Sequence, residues 1–171
     1  YVTIDNNDIH HCSRQGLSNA PAYTRIHNNK FSYIFGQTAG PCAGIDLEDG
    51  SYFTAYVEIH NNTFLNNSGG GVLLKYNRHI SVKDNWFGST DVVVYLSYTL
   101  YGNFTNGYYG QFSPGTIVSG NTFIGATSVI GRDHTYTGNY LKNTTISMEK
   151  GSGNVFGNTG VNVRIISVND T

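Results

Sequence analysis

The sequence contains few charged residues and no long hydrophobic run. Charged residues make up 12% of the 171 residues, and the formal net charge is -1. A chain with so little charge has no electrostatic footprint for nucleic acid, so we expect no nucleic-acid partner. No apolar stretch approaches the roughly 20 residues of a membrane-spanning helix. We therefore expect no membrane insertion.

Cysteine is also scarce, with Cys12 and Cys42 as the two examples. They fall in neighbouring repeats and align two residues out of step, so we expect two buried free thiols rather than a disulfide. Their surroundings have neither the spacing of a thiolate metal site nor the paired histidine of a cysteine nucleophile. We expect no metal site of this kind.

A repeated six-residue phrase dominates what the sequence does contain. Ile26-His27-Asn28-Asn29-Lys30-Phe31 has counterparts at 4–9, 59–64, 82–87, 118–123 and, more weakly, 136–141. The second polar position of the phrase is Asn7, Asn29, Asn62, Asn85, Asn121 and Asn139. Units of this length cannot bury a hydrophobic face alone, so they must stack into a solenoid.

The local period of the phrase predicts the kind of solenoid. Apolar residues alternate with polar ones before a turn rich in Asn and Gly, which is typical of strands. We predict an all-β fold, a single parallel β-helix of about seven coils over residues 1–171, with an insertion at about 97–115. Buried asparagines would stack from coil to coil. A β-sandwich with Asn and Gly at exposed turns is the alternative.

Residue 1 falls inside a repeat, and neither a signal peptide nor a capping helix precedes it. A solenoid without a cap would expose its core and strand edges. We therefore expect the chain to be a fragment of a longer protein.

We expect Val2, Ile4 and the equivalent apolar residues of later coils to point into the core. Strand alternation then predicts two outward rows on the first strand of each coil. One row contains Thr3, Arg25, Glu58 and Ser81, and the other contains Asp5, His27, His60 and Lys83. A solvated face explains both rows, with Arg25 paired to Glu58 and Asp5 paired to His27. Two histidines one coil apart could instead bind a metal or share a proton, although a third metal ligand is missing.

A second strand in each coil carries a pair of carboxylates. Aligning Gly16, Gly44 and Gly71 places Ser18, Asp46 and Leu73 in one outward row. The same alignment places Glu48 beside Lys75 in another. The two carboxylates then lie roughly 6–7 Å apart at the backbone. That spacing leaves room for a water between a general acid and a general base. A Glu48–Lys75 surface pair with a turn-capping Asp46 explains the same residues, and the pattern leaves both interpretations open.

Four segments carry a resemblance to a known family. They span 13–18, 26–29, 36–48 and 57–64, and include Arg14-Gln15-Gly16 and Asp46-Leu47-Glu48. This part of the chain resembles pectate-lyase-like right-handed β-helix proteins of phages and prophages, of the appendage or tailspike type, which recognise and cut cell-wall glycans or teichoic acid. One departure is Asp49-Gly50, where a Pro often follows. The resemblance implies a glycan-handling groove containing Arg14, Gln15, Asp46 and Glu48, and an extracellular or virion-borne protein.

We therefore expect a protein that binds a bacterial cell-surface polysaccharide or teichoic acid and hydrolyses it. Glu48 would be the base and Asp46 the acid, while Arg14 and Lys75 would hold an anionic group and Gln15 would orient the polymer. Tyr98 and Tyr101, in the insertion, are candidates for stacking on sugars. A lyase would instead use Lys75 or Arg14 as the base and Ca²⁺ on the carboxylates; otherwise we expect no cofactor. A non-catalytic adhesin and the structural shaft of a homotrimeric spike are the alternatives.

Overall fold

Short strands follow one another around each coil of the chain. The computed structural model describes residues 1–35, 42–48, 55–75, 77–88, 108–111, 115–130, 134–149 and 153–168, and Tyr98 and Tyr101 lie outside these residues. Within these ranges 21 β-strands form three parallel sheets of seven strands each. The predicted parallel β-helix of about seven coils is therefore confirmed.

Each coil contributes three consecutive strands. The first four coils contain β1 (Val2–Asp5), β2 (Asp8–His10), β3 (Leu17–Ser18), β4 (Thr24–His27), β5 (Lys30–Ser32), β6 (Ala43–Glu48), β7 (Glu58–His60), β8 (Thr63–Leu65), β9 (Gly70–Lys75), β10 (Ser81–Lys83), β11 (Trp86–Gly88) and β12 (Tyr108–Gln111). The last three contain β13 (Ile117–Ser119), β14 (Thr122–Ile124), β15 (Thr127–Ile130), β16 (Thr135–Thr137), β17 (Tyr140–Lys142), β18 (Thr145–Glu149), β19 (Asn154–Phe156), β20 (Thr159–Val161) and β21 (Arg164–Val168). The first strands of all coils form sheet 1, the second strands form sheet 2, and the third strands form sheet 3.

The repeated phrase spans two strands and the corner between them. In the second coil, β4 ends at His27 and β5 begins at Lys30, so Asn28 and Asn29 make the corner. The first corner residue is left-handed in every coil, with φ values from 53° to 65°, and is Asn, Asp or Gly. These are the residues that tolerate this conformation best. The two polar positions of the phrase therefore have different structural roles.

The second corner residue forms a buried asparagine ladder. Asn29 Oδ1 accepts hydrogen bonds from Asn7 N at 3.0 Å and from Asn7 Nδ2 at 2.9 Å. The same pattern repeats through Asn62, Asn85, Asn121, Asn139 and Asn158. Each asparagine side chain forms hydrogen bonds with backbone N–H and C=O groups at a corner, where these groups have no partner in a β-sheet. The predicted ladder is confirmed and extends to Asn158 in the last coil.

A second ladder of stacked rings fills the interior beside the asparagines. Phe31, Phe64, Phe87 and Phe123 are fully buried, and their ring centroids are 4.6–5.3 Å apart along the stack. The close packing explains the aligned glycines. A Cβ on Gly44 would lie 2.7 Å from Phe64 Cδ1 and 2.8 Å from the Gly71 carbonyl oxygen. No side chain larger than hydrogen fits there without displacing the core.

Three details differ from the sequence predictions or refine them. Both cysteines are free, as predicted, but Cys12 is only partly buried whereas Cys42 is 3% exposed. Val2 was expected to point into the core, but it is 41% exposed because its strand is covered on one side only, by β4. Within the stretch 97–115, residues 108–111 form β12, which pairs with β9.

Candidate functional site

Sheet 3 places three of the predicted site residues, Asp46, Glu48 and Lys75, on the neighbouring strands β6 and β9. Ser18 pairs with Asp46, and Asp46 pairs with Leu73, in the register that the glycine alignment predicted. Glu48 pairs directly with Lys75 at the Cα positions. Asp46 and Glu48 therefore lie two residues apart on β6, and the backbone of Lys75 lies next to that of Glu48 on β9.

Gln15 joins the first coil to Asp46 in the second. Gln15 Nε2 donates a hydrogen bond to Asp46 Oδ2 at 2.9 Å and another to Ser18 Oγ at 3.1 Å. Gln15 lies just before β3, and β3 pairs with β6. This pairing brings the Gln15 amide to the Asp46 carboxylate, although the two residues are 31 positions apart in the sequence. A short hydrogen bond to a carboxylate fixes the orientation of that carboxylate.

In the outward row formed by Ser18, Asp46 and Leu73, Ser18 is exposed but the other two residues are buried. Asp46 is 3% exposed and Leu73 is 2% exposed, although neither belongs to the central apolar cluster that includes Ile45 and Leu47. These two residues therefore lie on the outer side of sheet 3 without reaching solvent. The sequence predicted that Asp46 faces outward but did not predict that it would be buried there. The alternation of side chains along a strand predicts which face of the sheet a residue occupies. Whether the residue is buried there depends on which other residues pack over that face.

Arg14 has a different environment from its neighbour Gln15. Its side chain is exposed, and among the described residues it has no hydrogen bond or ion pair. The alternative partner considered for Arg14, Asp49, lies outside the described residues. An exposed guanidinium beside the Gln15–Asp46 contact is accessible to an anionic group of a polymer.

The lyase alternative would require the carboxylates to hold Ca²⁺. Within the described ranges, no three Asp, Glu, His or Cys side chains are close enough to hold a metal ion. The calcium alternative stays a prediction, and we assign no step to a metal.

The outer face of sheet 1 contains the second group of polar residues that the sequence singled out. Arg25 Nε lies 3.1 Å from Glu58 Oε2, so the predicted ion pair is present. The predicted Asp5–His27 pair was wrong, because Asp5 Oδ2 instead accepts a hydrogen bond from Asn6 Nδ2 at 2.8 Å. Asn6 is next to Asp5 in the sequence, so its amide reaches the Asp5 carboxylate more easily than His27 of the following coil does.

His27 and His60 stack on this face, with ring centroids 4.9 Å apart and planes 9° from parallel. Burial, and then the neighbouring His27, lower the pKa of His60. The Nδ1 atom of each ring lies beside an asparagine amide, 2.9 Å from Asn28 Nδ2 and 3.3 Å from Asn61 Nδ2. Among the described residues, no third metal ligand joins the pair.

One exposed aromatic column was not predicted. Tyr23 stacks on Tyr56, and Tyr56 stacks on His79, at the turn that enters sheet 1 from sheet 3. The sequence does carry a signal for it, because each of these residues lies three positions before the first residue of the six-residue phrase, at Ile26, Ile59 and Val82. The repeated phrase begins after this position, which explains why the column was missed.

Comparison with known proteins supports the fold. The family model described as a right-handed β-helix region matches residues 1–103, which is more than half of the chain. The chain therefore belongs to the right-handed β-helix family, whose domains are commonly associated with carbohydrates. No curated protein matches the chain. Within the described residues, no helix has the length and apolar character needed to cross a membrane.

Proposed function

We propose that this protein binds a bacterial cell-surface polysaccharide or teichoic acid along sheet 3 and hydrolyses it. The observation that carries the proposal is the Gln15–Asp46 hydrogen bond, which joins residues from two coils beside the exposed Arg14. Their proximity supports a groove in which one chain segment binds the polymer and the next acts on it. The carbohydrate association of the family supports the same class of ligand.

In this mechanism Asp46 is the general acid and Glu48 the general base. Their positions on β6 place them roughly 6–7 Å apart at the backbone, which leaves space for a water on one side of the scissile bond. Glu48 removes a proton from that water, and Asp46 donates a proton to the leaving oxygen. Gln15 holds the Asp46 carboxyl in place, while Arg14 and Lys75 bind an anionic group of the substrate. Because Asp46 is 3% exposed, cleavage requires this carboxyl group to become accessible to the substrate.

The same burial favours a second candidate function. A carboxylate that is covered and hydrogen-bonded to Gln15 can act as a structural link between coils 1 and 2. In that case the protein is a non-catalytic glycan-binding adhesin that uses Arg14 for contact. The structural shaft of a homotrimeric spike is a further alternative in which neither wall binding nor cleavage occurs. In each version the proposed location is extracellular or on a virion.

The experiment is cleavage of purified bacterial walls by the chain and by Asp46→Asn and Glu48→Gln variants. We expect each variant to abolish release of reducing ends or glycerol phosphate, measured by mass spectrometry, and to leave wall binding intact. Glu58→Gln is the matched control, because Glu58 is an exposed carboxylate on sheet 1 with an ion-pair partner.

The possible outcomes separate the three functions. Retained cleavage in both the Asp46 and the Glu48 variants removes the catalytic assignment. Wall binding by the unaltered chain without product release supports the adhesin. Absence of both binding and release supports the shaft.

A further inference from the structure

Gln15 is held in the candidate site by its amide nitrogen. Nε2 lies 2.9 Å from Asp46 Oδ2 and 3.1 Å from Ser18 Oγ, so each of its two hydrogens has an acceptor of its own. Gln15 Oε1 is buried, and no described residue donates a hydrogen bond to it. The orientation of the amide therefore depends on two hydrogen bonds, and Ser18 supplies one of them.

The backbone around Ser18 fixes where its hydroxyl group lies. Ser18 pairs with Asp46 at the Cα positions, and the N–H of Asn19 donates to the backbone oxygen of Asp46 at 2.9 Å. Earlier in the same segment, the N–H of Gly16 donates to the backbone oxygen of Ala43 at 3.1 Å. The segment is thus bound to β6 on both sides of β3. Ser18 is exposed, but these bonds hold its position relative to the site.

An amide that directs an N–H at one carboxyl oxygen makes the two oxygens different. Asp46 Oδ2 accepts the N–H of Gln15, and an oxygen that accepts an N–H is a poor position for the proton of the carboxyl group itself. The proton of a protonated Asp46 therefore lies on Oδ1. If the amide rotated away, Oδ2 would lose this donor and both oxygens could carry the proton. The orientation of Gln15 thus decides which oxygen of Asp46 is the proton donor.

We propose that Ser18 is a positioning residue for the hydrolysis and holds Gln15 so that Asp46 carries its proton on Oδ1. This inference rests on the proposed function, in which Asp46 is the general acid. During cleavage, Oδ1 gives its proton to the leaving oxygen as the bond to that oxygen breaks. The water forms the new bond and gives a proton to Glu48. The carboxylate that remains on Asp46 keeps its Oδ2 hydrogen bond to Gln15.

The Gln15 hydrogen bond gains strength during this step. A carboxylate accepts hydrogen bonds more strongly than a carboxylic acid does, so the N–H stabilises the negative charge that develops on Asp46. A donor that is already directed at Oδ2 needs no reorganisation as the charge appears. Loss of the Ser18 hydroxyl removes this advantage from the chemical step and leaves Arg14 in place to bind the polymer. The effect should therefore fall on kcat rather than on KM.

The test compares the unaltered chain with Ser18→Ala and Ser18→Thr variants on purified bacterial walls. Initial rates of product release over a range of wall concentrations give kcat and KM. We expect Ser18→Ala to lower kcat by about three- to tenfold, the effect of losing one hydrogen bond, and to change KM by less than about twofold. Threonine keeps the hydroxyl group, so Ser18→Thr should retain kcat to within about twofold.

A second measurement follows the Gln15 amide itself and does not require cleavage. In isotope-labelled protein the two Nε2 hydrogens of Gln15 give separate NMR signals, and a hydrogen bond slows the exchange of each with water. We expect Ser18→Ala to shift these signals and to speed exchange of the hydrogen that was directed at Ser18, and Ser18→Thr to preserve both. Ser81→Ala is the matched control, because Ser81 is an outward serine on β10 of sheet 1. It should change neither kcat nor the Gln15 signals, and circular dichroism checks that every variant folds.

Three results would overturn the inference. One is an unchanged kcat in Ser18→Ala. Another is a loss of kcat that Ser18→Thr shares. The third is a loss of kcat in Ser18→Ala while the Gln15 signals stay as they are in the unaltered chain.

Failure of the proposed function gives a different result. The unaltered chain then releases no product, and the positioning role of Ser18 falls with the hydrolysis. Altered Gln15 signals in Ser18→Ala would in that case show that the Ser18–Gln15 hydrogen bond is a structural contact only.

Discussion

Replacing Asn62 by alanine removes one complete rung of the asparagine ladder. Asn62 is 1% exposed, and its Oδ1 accepts hydrogen bonds from Asn29 N at 2.9 Å and Asn29 Nδ2 at 3.1 Å. Its Nδ2 donates to Ile26 O at 2.8 Å, His60 O at 3.0 Å and Asn85 Oδ1 at 3.1 Å. The substitution therefore breaks contacts to the coils on both sides.

The magnitude follows from which groups lose their partners. The substitution removes Asn62 Oδ1, the acceptor for the buried backbone N–H of Asn29, at a cost of about 1–3 kcal/mol. The other lost hydrogen bonds add about 0.5–1.5 kcal/mol each, and they are not fully additive. We expect the free energy of unfolding to fall by about 3–5 kcal/mol. For a chain of this size, Tm should then fall by about 6–20 °C.

The assay is urea and thermal unfolding followed by circular dichroism and by fluorescence of Trp86, the single tryptophan, whose ring packs against Gly88 of the same strand, β11. Asn61→Gly is the control. Asn61 is the exposed, left-handed residue before Asn62, and the same corner is occupied by Gly120 in the fifth coil. We expect this control to change stability by less than about 1 kcal/mol. If Asn62→Ala were no more destabilising than the control, the ladder would not stabilise the fold as argued.

Two further perturbations test the core and the sheet 1 face. In Gly44→Ala the new methyl group would lie 2.7 Å from Phe64 Cδ1. We therefore expect the free energy of unfolding, measured by thermal unfolding, to fall by about 1–3 kcal/mol. An unchanged Tm would show that the phenylalanine stack can move to accommodate the methyl group. The pKa of His60 is lowered from its ordinary value of 6.5 by burial and then by His27, so the unfolded chain binds a proton before the folded protein does as the pH falls. The free energy of unfolding should therefore decrease as the pH drops through 6.5, and His60→Gln should flatten that decrease in urea titrations. An identical pH dependence in the variant would contradict this assignment.

Local sequence was sufficient to predict the ladder but not the geometry of its corners. Asn29 and Asn62 could be aligned because a solenoid places equivalent residues of each coil at the same position. The left-handed backbone of Asn28 and Asn61 was not predicted, although Asn, Asp and Gly at this position carry the signal. The phrase was also interpreted as one strand and a turn, whereas the corner divides it into two strands.

The candidate site was only partly predictable, for a different reason. Strand alternation and the aligned glycines specified that Asp46 pairs with Ser18, and that Glu48 pairs with Lys75. These relationships depend on register, which a repeat encodes directly. The 3% exposure of Asp46 depends instead on packing above sheet 3, which no repeat encodes. The roles of Asp46 and Glu48 in catalysis stay predictions.

The sequence by itself determined the solenoid, its coil register and the asparagines that bind one coil to the next, because each of these is repeated along the chain. Only the tertiary structure decided which polar residues are covered and which are exposed. It buried Asp46 on the outer side of sheet 3 and left Tyr23 and Tyr56 half exposed. Exposure depends on the whole set of neighbours that packing brings together, and those neighbours are distant in the chain.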